Sequence, residues 1–200
     1  MMVKQFILIA KLFSLGIMIS SLASCQVTSP KQVFPELTFQ HLKLLNLNVA
    51  KIEITSSYNQ PMNNPNVDHL FHTPPAAALK SWAKDRLHAV GTDGYARFTI
   101  IEASVTETGL DKKNGIIGIF TKDQSERYDA ILEAKLEIFD NRGRSKGFAK
   151  AKATRSVTVS DDSSINQRKQ AWFNLTEELI GDLNAELEKN IFIYLSRWFN

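Results

Sequence analysis

Side chains able to do covalent or metal chemistry are few and scattered in this chain. Cys25 is the only cysteine among 200 residues, so no disulfide can close within one chain. An exported protein that uses thiols ordinarily pairs them. A solitary thiol at a cleavage boundary has a different job from a structural disulfide. Leu22, Ala23 and Ser24 precede it, and the small side chains at 23 and 24 let an extended backbone enter a peptidase cleft. The four histidines are His41, His69, His72 and His88. His69 and His72 stand in a proline-rich stretch with no third ligand nearby, whereas zinc would need one, and a supporting shell. They read as loop histidines. Asp161 and Asp162 lie just ahead of the last helix, where carboxylates complement the helix dipole; an acid–base pair is the alternative. Neither a Gly-x-Ser-x-Gly elbow, nor a phosphate-cradling Gly-Lys-Ser/Thr loop, nor His-Glu-x-x-His occurs. Asn174-Leu175-Thr176 has sequon form, but mid-helix. The expectation is a protein that is not an enzyme, with no catalytic residue, no metal and no cofactor.

Around Cys25 the chain changes character. A basic start with Lys4 and Lys11 leads into the apolar run Leu12 to Leu22, and polar residues follow at once from Gln26 to Lys31. That run has the length of a secretory signal's hydrophobic region and is too short to span a bilayer. Leu22-Ala23-Ser24-Cys25 resembles the bacterial lipobox, and the resemblance implies cleavage before Cys25 and a diacylglyceryl thioether on its sulfur. It also implies an N-acyl chain on the freed amine. One acyl chain holds a protein marginally, and two or more hold it stably, at about 0.8 kcal/mol per buried CH₂. The expected organisation is a signal peptide over 1–24, a lipidated N-terminus and tether over 25–46, and one α+β domain over 47–200. Losing Lys4 and Lys11 leaves 22 basic against 21 acidic residues. That balance, with no basic stripe interleaved with aromatics, argues against nucleic acid as partner.

The mature chain reads as alternating strands and helices. Residues 26–46 look like a tether that docks on the domain. Leu47 to Ile54 is the first expected strand, with Ala50, Ile52 and Ile54 alternating against Lys51 and Glu53. After a proline- and asparagine-rich stretch, Thr73 is expected to cap a helix with Pro74 at its first position. That helix places Leu79, Trp82, Ala83, Leu87 and Val90 on one face and ends at Gly91 in a left-handed cap. Tyr95 to Thr108 is the second strand. Its apolar parity switches between Ile100 and Ile101, which predicts a bulge or two covered faces. Arg127 to Phe139 is the third, with Tyr128, Ala130, Leu132, Ala134, Leu136 and Ile138 inward. Asp140-Asn141-Arg142-Gly143 is a hairpin turn, and Ser145 to Val159 the fourth strand. Ser164 and Gln167 form a capping box for a last helix running to about Trp198. Its leucines at 175, 179, 183 and 187, with Ile191 and Leu195, recur every fourth residue. The class is α+β: a four-stranded mixed sheet, β-α-β-β-β-α, with two helices packed on one face.

A lipobox followed by this order, with the amphipathic stretch Ala78 to Leu87, resembles the LPS-assembly lipoprotein family (LptE-like). It is similar also to the auxiliary lipoproteins of ABC-type lipid transporters. The resemblance spans roughly residues 47–197. It implies a non-catalytic accessory subunit of an envelope transport or assembly complex, with an outer-membrane or transporter protein as partner. Gln26 stands where the inner-membrane retention signal has aspartate, which implies the outer membrane, periplasmic face. A structural or regulatory lipoprotein of cell-wall synthesis is the alternative, and an enzyme the weakest; no small-molecule substrate is indicated. One segment stands out as a candidate contact loop. Ile116, Ile117, Ile119 and Phe120 are large and apolar between Lys112, Lys113 and Lys122. The competing expectation is that they form a short strand or fold back on the sheet.

Overall fold

A computed structural model describes residues 33–110 and 124–199, and the compact unit of interest begins at Phe34. The main sheet has the order β2-β4-β5-β6. These are Lys51–Ser56 (β2), Tyr95–Gly109 (β4), Gln124–Phe139 (β5) and Ser145–Ser160 (β6). β2 runs parallel to β4, and β4, β5 and β6 are antiparallel, so the sheet is mixed as expected. Two helices cover one face. Pro75–Arg86 (α1) packs on β4, and Ile165–Tyr194 (α2) lies mainly over β6.

β5 is the spine of the core. Tyr128, Ala130, Leu132, Ala134, Leu136 and Ile138 are all buried to within about one per cent of full burial, because a period of two puts them on the covered face. The parity switch in β4 is a bulge. Pairing with β5 shifts register between Ile100 and Glu102, so Ile101 is the extra residue and Ala103 and Val105 return to the core. Ala149, Ala151 and Ala153 of β6 are small where α2 comes close. The capping box is present: Gln167 N–H donates to Ser164 Oγ (3.2 Å) and Ser164 N–H to Gln167 Oε1 (2.7 Å). Leu175, Leu179, Leu183, Leu187, Ile191 and Leu195 are all buried. The last helix stops at Tyr194, before a separate turn at Ser196–Trp198, rather than continuing to Trp198.

Three local expectations are corrected. The first strand is broken in two. Leu45–Leu47 (β1) pairs parallel with Leu87–Ala89 (β3), and the chain bends at Asn48–Ala50 before β2. At the bend Val49 N–H donates back to Leu47 C=O (2.8 Å). α1 is correspondingly shorter. It stops at Arg86 because Leu87, His88 and Ala89 pair with β1, and Val90 is exposed. Pro74 is its cap and Pro75 its first residue, with no side-chain cap from Thr73. Gly91 is needed for space rather than for a left-handed backbone. Positive φ among glycines is confined to Gly94 and Gly143 within the described residues. A Cβ on Gly91 would instead strike Asn48 Oδ1, and the Asn48 and Val49 backbone at 2.6 and 2.7 Å.

The stretch from Phe34 belongs to the same core. Phe34, Leu37, Phe39 and Leu45 are buried, and Phe39 N–H donates to Asp85 Oδ2 (2.8 Å). Phe34 stacks on Phe173 (5.5 Å) and sits against His72 (5.7 Å), near the N-terminal ends of both helices. α1 and α2 run parallel, joined by Trp82 Nε1 to Asn184 Oδ1 (2.8 Å) and by Arg86 Nη2 to Glu188 Oε2 (2.9 Å).

Candidate functional site

At the end of the sheet away from Phe34, short polar segments converge on a cleft. The β5–β6 hairpin is built on Asp140. Its Oδ1 accepts the backbone N–H of Arg142 and Arg144 (2.9 Å each), and its Oδ2 accepts Arg144 Nε at 2.8 Å. Lys146 Nζ lies 3.4 Å away. The Arg144 backbone donor foremost, then its guanidinium, holds the Asp140 carboxyl far below the usual carboxylate range. Gly143 completes the turn with φ 74°.

Asn141 reaches from this hairpin to the start of β4. Its Oδ1 accepts Gly94 N–H (2.7 Å) and its Nδ2 donates to Asp93 Oδ1 (3.0 Å). Gly94 has φ 65°, and a Cβ there would collide with Phe139 O. The third wall comes from the C-terminal turn. Trp198 C=O accepts Asn48 N–H (2.7 Å), and Arg197 Nη2 donates to Lys146 C=O (2.9 Å). The Arg197 guanidinium stands 3.9 Å from the Trp198 ring. That ring lies on β6 at Gly147, where a Cβ would meet Leu195 Cδ2 at 3.2 Å and the ring at 3.4 Å. The resulting cleft measures about 650 Å³, with Val49, Ile138 and Phe139 in its apolar part and Asn48, Asp93, Asn141, Lys146 and Arg197 in its polar part.

Phe139 connects the cleft to the uncovered sheet face. There Tyr95 and Phe139, partners across β4 and β5, stack at 4.8 Å and 10°. Arg97 lies over both rings at 5.5 and 5.1 Å, and Lys51 over Tyr95 at 5.0 Å. Glu53 fixes both cations, accepting from Lys51 (2.7 Å) and from Arg97 Nη2 (3.0 Å). Those two bonds, Lys51 first, lower the Glu53 carboxyl below its usual range. Hydrogen-bond donors and the cations Lys146 and Arg197, beside half-buried rings, give this end the means to bind a polar or anionic group.

The residues singled out from sequence do not meet here. Leu22, Ala23, Ser24 and Cys25, and the loop residues Ile116, Ile117, Ile119 and Phe120, lie outside the described residues. His41, His72 and His88 are exposed and far apart in the fold, while His69 Nδ1 is buried without a partner. Among the described residues no group of three His, Cys, Asp or Glu is placed to hold a metal. Asp161 and Asp162 occupy the turn before Ser164. Sequence reading missed the cleft, because residues 48, 93, 141 and 197 become neighbours only through sheet order. No local signal joins them: Gly147 and Trp198, which meet at this end, are as distant in sequence as the rest.

No known family matches the sequence, and no curated protein matches it. Among solved structures, the chain is similar to a minor lipoprotein from Acinetobacter baumannii at 17% identity and a TM-score of 0.40. The match covers 72% of this chain and 92% of that one. It is similar also to a Xanthomonas campestris protein assigned to DUF330, at 12% identity and a TM-score of 0.30, over 70% and 86% of the two chains.

Proposed function

We propose that this protein is a lipid-anchored, periplasm-facing lipoprotein of the outer membrane, acting as a non-catalytic accessory subunit of an envelope transport or assembly complex. The observation that carries the reading is Leu22-Ala23-Ser24-Cys25, with the only thiol of the chain at the point where an apolar run gives way to polar residues. Among the described residues no helix is long and apolar enough to cross a membrane, so the acyl chains are the attachment this reading requires. Gln26 supports the outer-membrane destination.

The fold supports a presenting role. Eight residues separate Cys25 from Phe34, a reach of at most about 30 Å. Phe34 stacks on Phe173, the residue after Trp172, and Trp172 in turn stacks on Phe71 and meets Tyr128 edge-on. From Tyr128 to Phe139 the strand advances about 35 Å, and the cleft lies at that far end. A domain held this way offers its hairpin-end surface to a partner away from the bilayer.

The test is metabolic labelling with a clickable fatty acid. Wild type is expected to carry label and to fractionate with outer membranes. Cys25→Ser is expected to carry none and to persist as full-length precursor. Equal labelling of the variant would overturn the reading. Cross-linking through Arg197→Cys in solubilised membranes then identifies the partner; a peptidoglycan enzyme rather than a barrel or transporter subunit would replace the proposed complex.

A further inference from the structure

The sheet ends at the short strand β2 on one side and at the long strand β6 on the other. On the β2 side, β4 pairs with β2 over Tyr95 to Ile100, and residues 65–67 bond to it further on. There Val67 N–H donates to Val105 C=O and Glu107 N–H to Pro65 C=O, each at 2.9 Å. β6 ends the sheet on the other side, and its sixteen residues pair only with β5 among the described elements. The carbonyls of Lys146 and Lys150 point off this edge, since the side chains of Arg197 and Asn190 reach them from α2's end of the molecule (2.9 Å each). Pairing with β5 keeps one register from Tyr128 to Ile138. Every even-numbered residue from Lys150 to Thr158 therefore turns its N–H and C=O outward. Past Lys150, no hydrogen bond among the described residues reaches the outward N–H or C=O of Lys152, Thr154, Ser156 or Thr158; the Ser156 hydroxyl is engaged on the open face, donating to Asp129 Oδ1 and accepting from Arg127 Nη2 (3.2 Å).

We infer that the Lys152–Thr158 edge of β6 is a docking site for an extended segment of a partner protein, which adds a fifth strand to the sheet. This rests on the reading of the protein as a binding subunit and adds a second contact surface to that of its hairpin end. The charges at the edge select the occupant. On the covered side, Glu178, Asp182 and Glu186 line the flank of α2 with side chains about half exposed. Arg155 answers the first two (2.6 and 2.5 Å), and Lys189 stands 3.7 Å from the third. On the open side, Lys150 and Lys152 flank Glu133, which is opposite Lys152 in register and 2.5 Å from Lys150 Nζ. An added strand fits when its side chains are basic towards α2 and acidic towards the two lysines. A second copy of this chain fits poorly, because a two-fold pairing of β6 edges would set the two acidic α2 flanks against each other.

The experiment uses the full chain in detergent and the synthetic peptide Val-Lys-Glu-Val-Thr-Lys-Glu-Val-Thr, whose lysines and glutamates fall on opposite strand faces. Hydrogen exchange is followed by NMR on the unsubstituted protein. The Lys152, Thr154, Ser156 and Thr158 amides are expected to exchange fast in the free chain, unlike Ala151 and Ala153, and to be protected by the peptide. Thr154→Pro removes one outward N–H and leaves the β5 ladder intact, so it is expected to weaken peptide binding at least about tenfold. Replacing the peptide lysines by glutamate is expected to weaken it similarly. The inference is overturned if saturating peptide leaves the four amides unprotected. It is overturned also if they are already protected in the free chain, whether monomer or dimer, or if the glutamate peptide binds equally well. None of these results touches fatty-acid labelling at Cys25, so the two readings fail separately.

Discussion

Leu132→Ala and Leu136→Ala test the claim that β5 is the central strand beneath α2. Both side chains are fully buried, so each truncation loses the transfer free energy of the removed carbons and leaves a cavity. Together these terms cost about 2–5 kcal/mol in well-packed cores. The neighbours place the two sites at different points in that range. Leu132 sits between Ala103 on β4 and Ala153 on β6, whose methyl groups cannot move to fill a hole. Leu136 sits between Phe98 and Ala149, and the Phe98 ring can lean into vacated space. Leu132→Ala is therefore expected to cost about 4 kcal/mol and Leu136→Ala about 3 kcal/mol. In a domain of this size those losses lower Tm by roughly 6–16 °C. Urea unfolding followed by tryptophan fluorescence gives both values from midpoint and slope. Losses below about 0.5 kcal/mol at both positions would place β5 outside the core and refute the packing argument. A larger loss at Leu136 than at Leu132 would refute the account of the neighbours alone.

Other outcomes follow from the same geometry. Glu188→Gln strips the carboxylate from Arg86, which is 2% exposed. Because Glu188 is itself about a third exposed, the expected loss is about 1–2 kcal/mol rather than that of a fully buried pair. Denaturant titration of the variant measures it. Asp140 has its folded pKa lowered, so its contribution is complete above the ordinary carboxylate range, near pH 4, and fades only as pH falls through the lower folded value. An NMR pH titration should show the Arg142 and Arg144 amides unshifted from pH 7 to about 4, and Asp140→Asn should speed their exchange at pH 7. Ser164→Ala removes half of the capping box and is expected to cost about 1 kcal/mol in thermal or urea unfolding. Gly94→Ala forces a side chain against Phe139 O at positive φ; it should lower Tm and shift the Asn141 and Asp93 resonances together.

Local chemistry decided what could be read without a structure. The inward set of β5 follows from a period of two, and the β4 bulge from one slipped parity. The Ser164–Gln167 cap and the Gly143 turn depend on residues within four positions of one another. The lipobox is likewise local, and Cys25 is a matter of sequence alone. What the tertiary structure decided lies at long range. Leu87 to Ala89 has helix-compatible residues and leaves α1 only because Leu45–Leu47, about forty residues earlier, offers it a parallel strand. The same pairing breaks the expected first strand at Asn48. Gly91 resembles a helix cap, yet its lack of a side chain serves the close passage of the Asn48 backbone. The cleft draws Asn48, Asp93, Asn141 and Arg197 from four separate segments, and β6 has an edge unpaired among the described residues because it is last in strand order. Periodicity reports which face of an element is buried; which elements become neighbours depends on contacts between residues far apart in the chain, and no window along the sequence contains them.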